Sequence, residues 1–200
     1  IGEYNNTLII FTSDNGPSYA GGADPVFFNS AQPFNGKYGR GKGFVYEGGI
    51  RVPMIASWPG KITPKSSTNH ISGFYDVMAT LCDVAEIENP KHTDGISFYN
   101  TLLEKENQKK HNYMYWEFPE YGGQVAIRQG QWKFVWANIK KGNNDVELYN
   151  LDEDLLEQHN IAKEHPELIE KFYQIIKKEH TTPEIDKFKI QALEDIINSK

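Results

Sequence analysis

A short apolar run near the start of the chain limits the fold more than any other feature of the sequence. Residues 7–11 read TLIIF, and the run ends abruptly in TSDNGP. Strands that are apolar throughout are typical of parallel sheets buried on both faces. In an open α/β sheet, ligands bind just beyond the carboxyl ends of the strands. The run therefore predicts a buried parallel strand, with Asp14 and Asn15 just beyond its carboxyl end, where ligands bind if the sheet is of the open α/β type.

Further α/β elements follow this strand. Residues 52–60, VPMIASWPG, predict a second strand. Residues 75–87 predict a helix, because Val77, Met78 and Leu81 recur at spacings of three and four. Residues 17–49 lie between the two strands and are rich in Gly, Pro, Asn and Ser. Such a long irregular loop in a compact domain is usually functional or disordered.

The residue composition changes after the polar run at 104–112. Four short runs rich in aromatic and β-branched residues follow, which predict an antiparallel meander with a tight turn at Gln129-Gly130. A helix beginning at Pro166 carries one apolar stripe and should pack on this sheet. We therefore expect residues 1–105 to belong to an α/β domain and residues 106–200 to form a smaller α+β subdomain.

The composition of the chain argues against several classes of binding partner. The net charge of −6 argues against a nucleic-acid surface, which needs a basic face. No run approaches the roughly 18 apolar residues that span a bilayer, so a membrane partner is not expected. The single cysteine, Cys82, rules out an internal disulfide framework and a thiolate metal site. No signal peptide is visible, and the oligomeric state stays open.

The stretch GKYGRGKG, residues 36–43, resembles a nucleotide-binding P-loop only in outline. A P-loop needs a preceding strand, a Ser or Thr after the lysine, and a following helix. Gly43 replaces the hydroxyl residue, no apolar strand precedes the glycines, and FVYEGGIRVP does not suit a helix. We therefore interpret Lys42 as a cation that a glycine-rich loop can bring to some other oxyanion. Glu47 and Arg51 should form a pair that holds this loop.

Asp14 and Asn15 offer adjacent hard oxygen ligands for calcium or magnesium. Asp-Asn-Gly is also a common sequence in turns, where it forms an Asx-turn or a helix cap. Either interpretation suits the sequence. The six histidines show no metal-ligand spacing, so we interpret them as surface or capping residues and assign none to catalysis. They are His70, His92, His111, His159, His165 and His180.

Aromatic residues of the C-terminal half allow two interpretations. They could form a sugar-stacking surface of a noncatalytic carbohydrate-binding module, or they could fill the space between sheet and helix. The residues concerned are Tyr113, Tyr115, Trp116, Trp132 and Trp136. The EYGG loop at 120–123 and Gln124 are candidates to line the entrance of a substrate pocket.

The order and spacing of these motifs resemble a known family. The sequence closely resembles the C-terminal portion of the type I, formylglycine-dependent sulfatases, over essentially its whole length. The segments that carry the resemblance are NTLIIFTSDNGP, DPVFFNS, GKGFVYEGGIRVPMIASWPGKI, SGFYDVMATLCDVA, HTDGISF, AIRQGQWKFV and ELYNLDEDLLEQHNIAKEHPELIEKF.

The resemblance implies an alkaline-phosphatase-like α/β fold and an enzyme that hydrolyses sulfate esters. It implies that Asp14 and Asn15 ligate a calcium ion, and that Lys42, five residues before the Glu of EGG, contacts the substrate sulfate as a catalytic and substrate-binding residue. A sulfated small molecule or sulfated carbohydrate would be the substrate. A periplasmic or extracellular location is implied for the full-length parent.

One departure from the family concerns the nucleophile, a formylglycine made from a C/S-x-P/A-x-R motif. No such motif occurs in the 200 residues, and Cys82 lies in LCDVA. Ser18 also stands where many relatives carry a histidine. We therefore expect this chain to be inactive alone, with the formylglycine supplied by another part of the enzyme. A phosphate-ester hydrolase of the same superfamily is a further alternative.

Overall fold

A computed structural model describes residues 2–198. The chain divides into two compact units, each built from separate stretches of sequence. One unit contains the residues up to Ser13 together with Pro53–Asn112, and the other contains Asp14–Val52 together with the residues from Tyr113 onward. The loop that carries Lys42 thus groups with the C-terminal half of the chain rather than with the strand that precedes it.

In chain order, the strands are β1 (Ile9–Thr12), β2 (Met54–Ser57), β3 (Met114–Phe118), β4 (Gln124–Gln129), β5 (Trp132–Ala137) and β6 (Val146–Asn150). The helices are α1 (Glu47–Ile50), α2 (Tyr75–Val84), α3 (Tyr99–Leu102), α4 (Pro166–Glu179) and α5 (Gln191–Asn198). No helix within residues 2–198 has the length and apolar character needed to cross a membrane.

In the first unit, β1 pairs with β2 in a two-stranded sheet. The pairing is antiparallel, with Ile9 opposite Ser57 and Thr12 opposite Met54, so the prediction of a parallel strand was wrong. An apolar run signals burial but does not reveal the direction of its partner. The strand is also not buried on both faces within this chain, since Phe11 is 68% exposed.

Helix α2 forms as predicted but buries a different face. Met78 and Leu81 are exposed, whereas Asp76, Ala79, Thr80 and Cys82 are buried. The Asp76 carboxylate accepts hydrogen bonds from the backbone N–H groups of Gly73 and Ile96, each at 2.7 Å, and lies 2.8 Å from His111 Nε2. These three bonds turn the polar side of α2 toward the rest of its unit, which the apolar spacing could not indicate.

The second unit contains the predicted meander. Strands β3, β4, β5 and β6 pair in sequence order, and every pairing is antiparallel. Gln129 pairs with Trp132, so the tight turn consists of Gly130 and Gln131, one residue later than predicted. Gly130 has φ of 58°, a left-handed conformation that suits a two-residue hairpin.

Helix α4 covers one face of this sheet, as predicted from its apolar stripe. It begins at Pro166, and Phe172 and Ile176 pack in a core cluster with Phe134 and Leu148 of the sheet. Leu193 of α5 joins the same cluster, although the sequence analysis did not identify α5. Trp136 and its aromatic neighbours pack in or against the cores, in keeping with the core-filling interpretation.

The loop that precedes α1 covers the opposite face of the sheet. Val45 and Tyr46 form a second core cluster with Ala126, Val135 and Tyr149, all at most 7% exposed. The four-stranded sheet is therefore buried on both faces, by helices on one side and by the Lys42-containing loop on the other.

Candidate functional site

The two stretches that carry the candidate residues are joined by backbone hydrogen bonds. The N–H of Gly16 donates to the carbonyl oxygen of Gly49 at 2.9 Å, and the N–H of Lys42 donates to the carbonyl oxygen of Pro17 at 2.9 Å. The fold therefore holds the loop of Asp14 next to the loop of Lys42, within one unit.

Glycine is required where these stretches meet. A Cβ atom at Gly16 would lie 1.8 Å from the carbonyl oxygen of Gly48, and one at Gly49 would lie 2.1 Å from the carbonyl oxygen of Phe44. No side chain fits at these separations, so the glycines permit direct backbone-to-backbone packing. The glycine-rich composition of the loop thus indicates close packing rather than freedom of motion.

A single helical turn, α1, follows the Lys42 loop. The expectation that FVYEGGIRVP suits no helix was wrong for Glu47–Ile50, which form one helical turn. The backbone N–H of Glu47 donates to Glu157 Oε2 at 2.9 Å, which satisfies a donor that a helix start leaves unpaired. The P-loop stays excluded, because Gly43 supplies no hydroxyl and no strand forms between β1 and α1.

The Glu47 side chain anchors this turn to the sheet. Its carboxylate is 2% exposed and accepts hydrogen bonds from Lys133 Nζ at 2.8 Å, Arg128 Nη1 at 2.9 Å and Arg51 Nη1 at 3.3 Å. The predicted pair of Glu47 with Arg51 is confirmed. It is the outermost part of a buried cluster that ties the loop to β4 and β5.

Glu47 also resolves a repulsion within the sheet. Arg128 and Lys133 are cross-strand partners on β4 and β5, and like charges in such positions destabilise a sheet. Burial disfavours the charged form of Glu47, but the ammonium of Lys133 and the guanidinium of Arg128 outweigh it and lower the Glu47 pKa. The carboxylate therefore stays ionised, and its negative charge offsets the repulsion between these two cations.

Glu157 is the second buried carboxylate of the cluster. It is 1% exposed, and its Oε1 has no hydrogen-bond partner among the described residues. Burial raises the pKa of Glu157 to about 7, with Lys133 opposing the rise and the charge of Glu47 adding to it. Arg40 Nη1 lies 3.9 Å from Glu157 Oε2, and its guanidinium stacks over the Tyr46 ring at 3.7 Å. Glu157 thus caps α1 in a partly protonated form near neutral pH.

Lys42 differs from the nearby cations that form ion pairs. Its backbone is fixed by Pro17, while its side chain is exposed and its ammonium makes no ion pair within residues 2–198. The neighbouring cations Arg40, Arg51 and Lys133 each face a carboxylate. An exposed, unpaired ammonium on an anchored loop is suited to binding an anion.

Asp14 and Asn15 lie on the adjoining loop. Asp14 is exposed, and its Oδ1 accepts the N–H of Asn15 at 3.0 Å; the Asn15 side-chain amide donates to the carbonyl oxygen of Gly16 at 2.8 Å. Carboxylate and amide oxygens are hard ligands that suit calcium, which takes six to eight oxygens. Across the part of the chain that is described, no group of three or more His, Cys, Asp or Glu side chains is placed to hold a metal ion. The two residues therefore fit a hard cation only as a fraction of its ligands.

The two candidates for the pocket entrance lie in different surroundings. Gln124 is buried, and it donates from Nε2 to the Gly43 carbonyl oxygen at 3.0 Å and accepts the Val45 N–H at 3.3 Å. Gln124 therefore holds the Lys42 loop against the sheet and does not line an entrance. Tyr121 of the EYGG loop does line a pocket beside Lys42.

Sequence reasoning missed the supporting residues of the site. Lys133 lies in QWKFVWA, and a lysine within so apolar a strand signals a buried charge that must have an acidic partner. No local signal links that lysine to Glu47, which lies 86 positions away. His180 caps the C-terminus of α4, in keeping with the interpretation of the histidines as surface or capping residues. It is also 7% exposed and bonded to two carboxylates, a role that the sequence did not predict.

Comparison with known proteins places this geometry among α/β enzymes of the alkaline-phosphatase-like fold, as predicted from the sequence. The family model described as N-sulphoglucosamine sulphohydrolase, C-terminal, matches residues 36–182. The chain therefore belongs to the sulfatase family and corresponds to its C-terminal portion.

Individual relatives agree with this assignment. The chain is 32% identical over 193 residues to N-acetylgalactosamine-6-O-sulfatase of Bacteroides thetaiotaomicron, a match that covers 88% of this chain and 37% of that protein. It is 32% identical over 149 residues to human arylsulfatase A, covering 73% and 28% of the two chains. The solved structure of Ps i-CgsB in complex with k-i-k-neocarrahexaose matches with a TM-score of 0.72 and 29% identity, covering 88% and 37%. The chain thus spans less than two fifths of the length of these relatives.

Proposed function

We propose that this chain supplies one side of the catalytic site of a sulfatase that hydrolyses sulfate esters, with Lys42 binding the sulfate. One observation carries the proposal: an exposed ammonium without an ion-pair partner in residues 2–198 lies on a loop anchored to the loop of Asp14. The backbone around this lysine is held by two hydrogen bonds: the Lys42 N–H donates to the Pro17 carbonyl oxygen, and Gln124 Nε2 donates to the Gly43 carbonyl oxygen.

The chemistry of the lysine follows from its charge. An ammonium about 4 Å from a sulfate oxygen stabilises it by on the order of 4 kcal/mol at an effective dielectric near 20. Negative charge develops on the sulfate and leaving-group oxygens as the ester bond breaks, so a fixed cation stabilises the transition state more than the ground state. Lys42 would thus act both in substrate binding and in catalysis.

Asp14 and Asn15 would hold a calcium ion together with ligands from the rest of the sulfatase domain. When bound, calcium polarises the sulfate ester and neutralises charge on its oxygens. The formylglycine nucleophile would also come from outside this chain, in which the motif for it does not occur. We therefore expect the 200 residues alone to turn over no sulfate ester.

A sulfated carbohydrate is the substrate class that the relatives support best. One relative is named for a sulfated N-acetylgalactosamine, and another was solved with a neocarrahexaose. A periplasmic or extracellular location would suit an enzyme acting on such sugars.

The test is kinetic and uses the complete sulfatase that contains this chain. Lys42→Ala should lower kcat/KM for a sulfate ester by about 100- to 1000-fold, as loss of one charge-stabilising group does. Lys37→Ala removes an exposed lysine of the same loop and is the matched control. Wild-type turnover by Lys42→Ala would remove the lysine from the mechanism.

Two further measurements test the remaining parts of the proposal. Asp14→Asn should weaken calcium binding in a direct titration of the complete enzyme, and unchanged calcium affinity would contradict its assignment as a ligand. Hydrolysis of an aryl sulfate by the purified 200-residue chain would contradict the expected inactivity.

A further inference from the structure

The pocket beside Lys42 has an aromatic wall that the proposed sulfate site does not explain. Lys42 is the single charged residue among the described residues that line this pocket. The lining residues are Ser18, Tyr19, Ala20, Tyr38, Gly39, Gly41, Lys42, Phe44 and Tyr121. A ligand that fits this pocket therefore has one anionic group next to a largely uncharged body.

The four aromatic rings of the pocket contact one another in a row. The centroids of Tyr19 and Tyr38 are 5.6 Å apart, those of Tyr38 and Phe44 are 6.3 Å apart, and those of Phe44 and Tyr121 are 5.2 Å apart. These separations lie in the range at which aromatic side chains attract each other. The row thus forms a continuous surface and not a set of independent side chains.

The two most exposed rings of the row are tyrosines. Tyr38 is 78% exposed and Tyr121 is 59% exposed, whereas Tyr46 and Tyr149 on the same side of the sheet are buried. A contiguous exposed aromatic surface next to a pocket marks a binding site more often than a lone exposed ring does. Tyrosine is also suited to ligands that are apolar on one face and polar at the edge.

Tyr121 is held in its position at a cost in backbone strain. Its φ is 49°, in the left-handed region that bulky residues rarely adopt. Its ring lies against Gly43, where a Cβ atom would approach Tyr121 Cε2 to 2.7 Å. Strained backbone that the surrounding structure maintains is concentrated at functional sites. A glycine directly after Lys42 and a strained tyrosine are therefore both needed to place this ring beside the lysine.

We propose that Tyr38 and Tyr121 form a stacking surface for the sugar ring of a sulfated carbohydrate whose sulfate reaches Lys42. The proposal rests on the proposed function of Lys42 and adds the residues that select the sugar. The C–H face of a pyranose ring would lie on the tyrosine rings, and the hydroxyl of Ser18 and those of the tyrosines would meet the sugar hydroxyls. Because the lining contains one cation, the pocket favours a sugar with a single sulfate at this position.

The experiment compares three probes on the 15N-labelled chain by NMR titration: N-acetylgalactosamine 6-sulfate, unsulfated N-acetylgalactosamine and inorganic sulfate. The sugar sulfate should bind several-fold more tightly than inorganic sulfate. Tyr121→Asn removes the ring while keeping a residue that tolerates the left-handed backbone. It should weaken sugar-sulfate binding about three- to tenfold, as loss of one aromatic contact does, and leave inorganic sulfate unchanged. Tyr38→Ala should behave in the same way.

Two controls make the result specific. Tyr121→Phe keeps the ring and should stay within about twofold of wild type, and Tyr4→Ala removes a tyrosine that is 62% exposed and lies outside the pocket. Wild-type affinity of Tyr121→Asn and Tyr38→Ala for the sugar sulfate would overturn the proposal. The proposal would also be overturned if Tyr121→Asn and Tyr38→Ala lowered the Tm of the complete enzyme but left its KM for the sugar sulfate unchanged. Such a result would mean that the two rings pack against protein and do not contact the sugar.

Failure of the sulfate site gives a different result. If Lys42→Ala keeps full affinity for inorganic sulfate, then Lys42 does not bind the anion and the proposed function fails. The stacking surface is still supported if saturation transfer to the ring protons of N-acetylgalactosamine depends on Tyr38 and Tyr121.

Discussion

The N–H of Gly16 donates to the carbonyl oxygen of Gly49 at 2.9 Å, and this bond joins the loop of the candidate calcium ligands to the turn that follows Lys42. A Cβ atom at Gly16 would lie 1.8 Å from the Gly48 carbonyl oxygen, far inside van der Waals contact. The two loops can be neighbours only while position 16 lacks a side chain.

Gly16→Ala should therefore lower the free energy of unfolding by about 3 kcal/mol or more, since overpacking against backbone cannot relax by a change of rotamer. Urea denaturation followed by circular dichroism measures the loss. Gly142→Ala is the control: Gly142 has φ of 78° with no atom near its missing Cβ, so only backbone strain of about 1 kcal/mol is expected. Equal losses in the two variants would show that the close approach is unimportant.

The buried ion cluster leads to a second prediction. Lys133→Met should destabilise the chain by about 3 kcal/mol, because Glu47 loses its closest cation while it stays buried. Lys171→Met, on the exposed side of α4, should have almost no effect. In urea denaturation, the double variant Glu47→Gln/Lys133→Met should lose less than the sum of the single variants. Strict additivity would mean that the two side chains do not interact.

Glu157 gives the stability a dependence on pH. Its pKa is raised from 4.5 to about 7 on folding, so the folded chain keeps a proton that the unfolded chain has lost. This contribution is fully present below pH 4.5 and is lost as pH rises toward about 7, a loss of about 3 kcal/mol. Glu157→Gln cannot titrate.

The difference in free energy of unfolding between wild type and Glu157→Gln should accordingly change across that interval and level off above it. Thermal denaturation in a series of buffers measures this difference and cancels the titration of other groups. A difference independent of pH would show that Glu157 is ionised in the folded chain throughout.

His180 connects β3 to α5. Its Nδ1 lies 2.7 Å from Glu117 Oε1 and its Nε2 lies 3.1 Å from Glu194 Oε1. His180→Ala should cost about 2 kcal/mol, because two partly or fully buried carboxylates lose the imidazole that lies between them. Hydrogen exchange of the α5 amides should accelerate, whereas His159→Ala, at a side chain that is 80% exposed, should leave it unchanged. His180→Gln keeps a side chain that can donate a hydrogen bond, so its exchange rates should lie between those of His180→Ala and His159→Ala.

The features that could be predicted from the sequence are those with a local signal. Runs rich in aromatic and β-branched residues predicted strands β3 to β6, and the apolar stripe after Pro166 predicted α4. Helix α5 also carries a local signal, because Leu193 and Ile196 lie three apart and pack in or against the core, so it could have been identified.

The features that were missed depend on partners far along the chain. The turn α1 forms because Glu157, 110 positions later, accepts the Glu47 N–H, and a reading of EGGI alone sees only two glycines. The buried face of α2 is fixed by the bonds of Asp76, which outweigh the apolar spacing of Met78 and Leu81. Long-range polar contacts leave no periodic pattern in the sequence.

Residues 14–52 group with the C-terminal sheet, and this has a consequence for the design of hybrid enzymes. Recombination of two sulfatases at the polar run near residue 105 would separate Glu47 of one parent from Arg128, Lys133 and Glu157 of the other. Such a hybrid would inherit the proposed sulfate-binding lysine, Lys42, on a loop that packs against the sheet of the other parent. Hybrids that keep 14–52 and the segment from 113 onward from the same parent should retain activity where a single crossover fails.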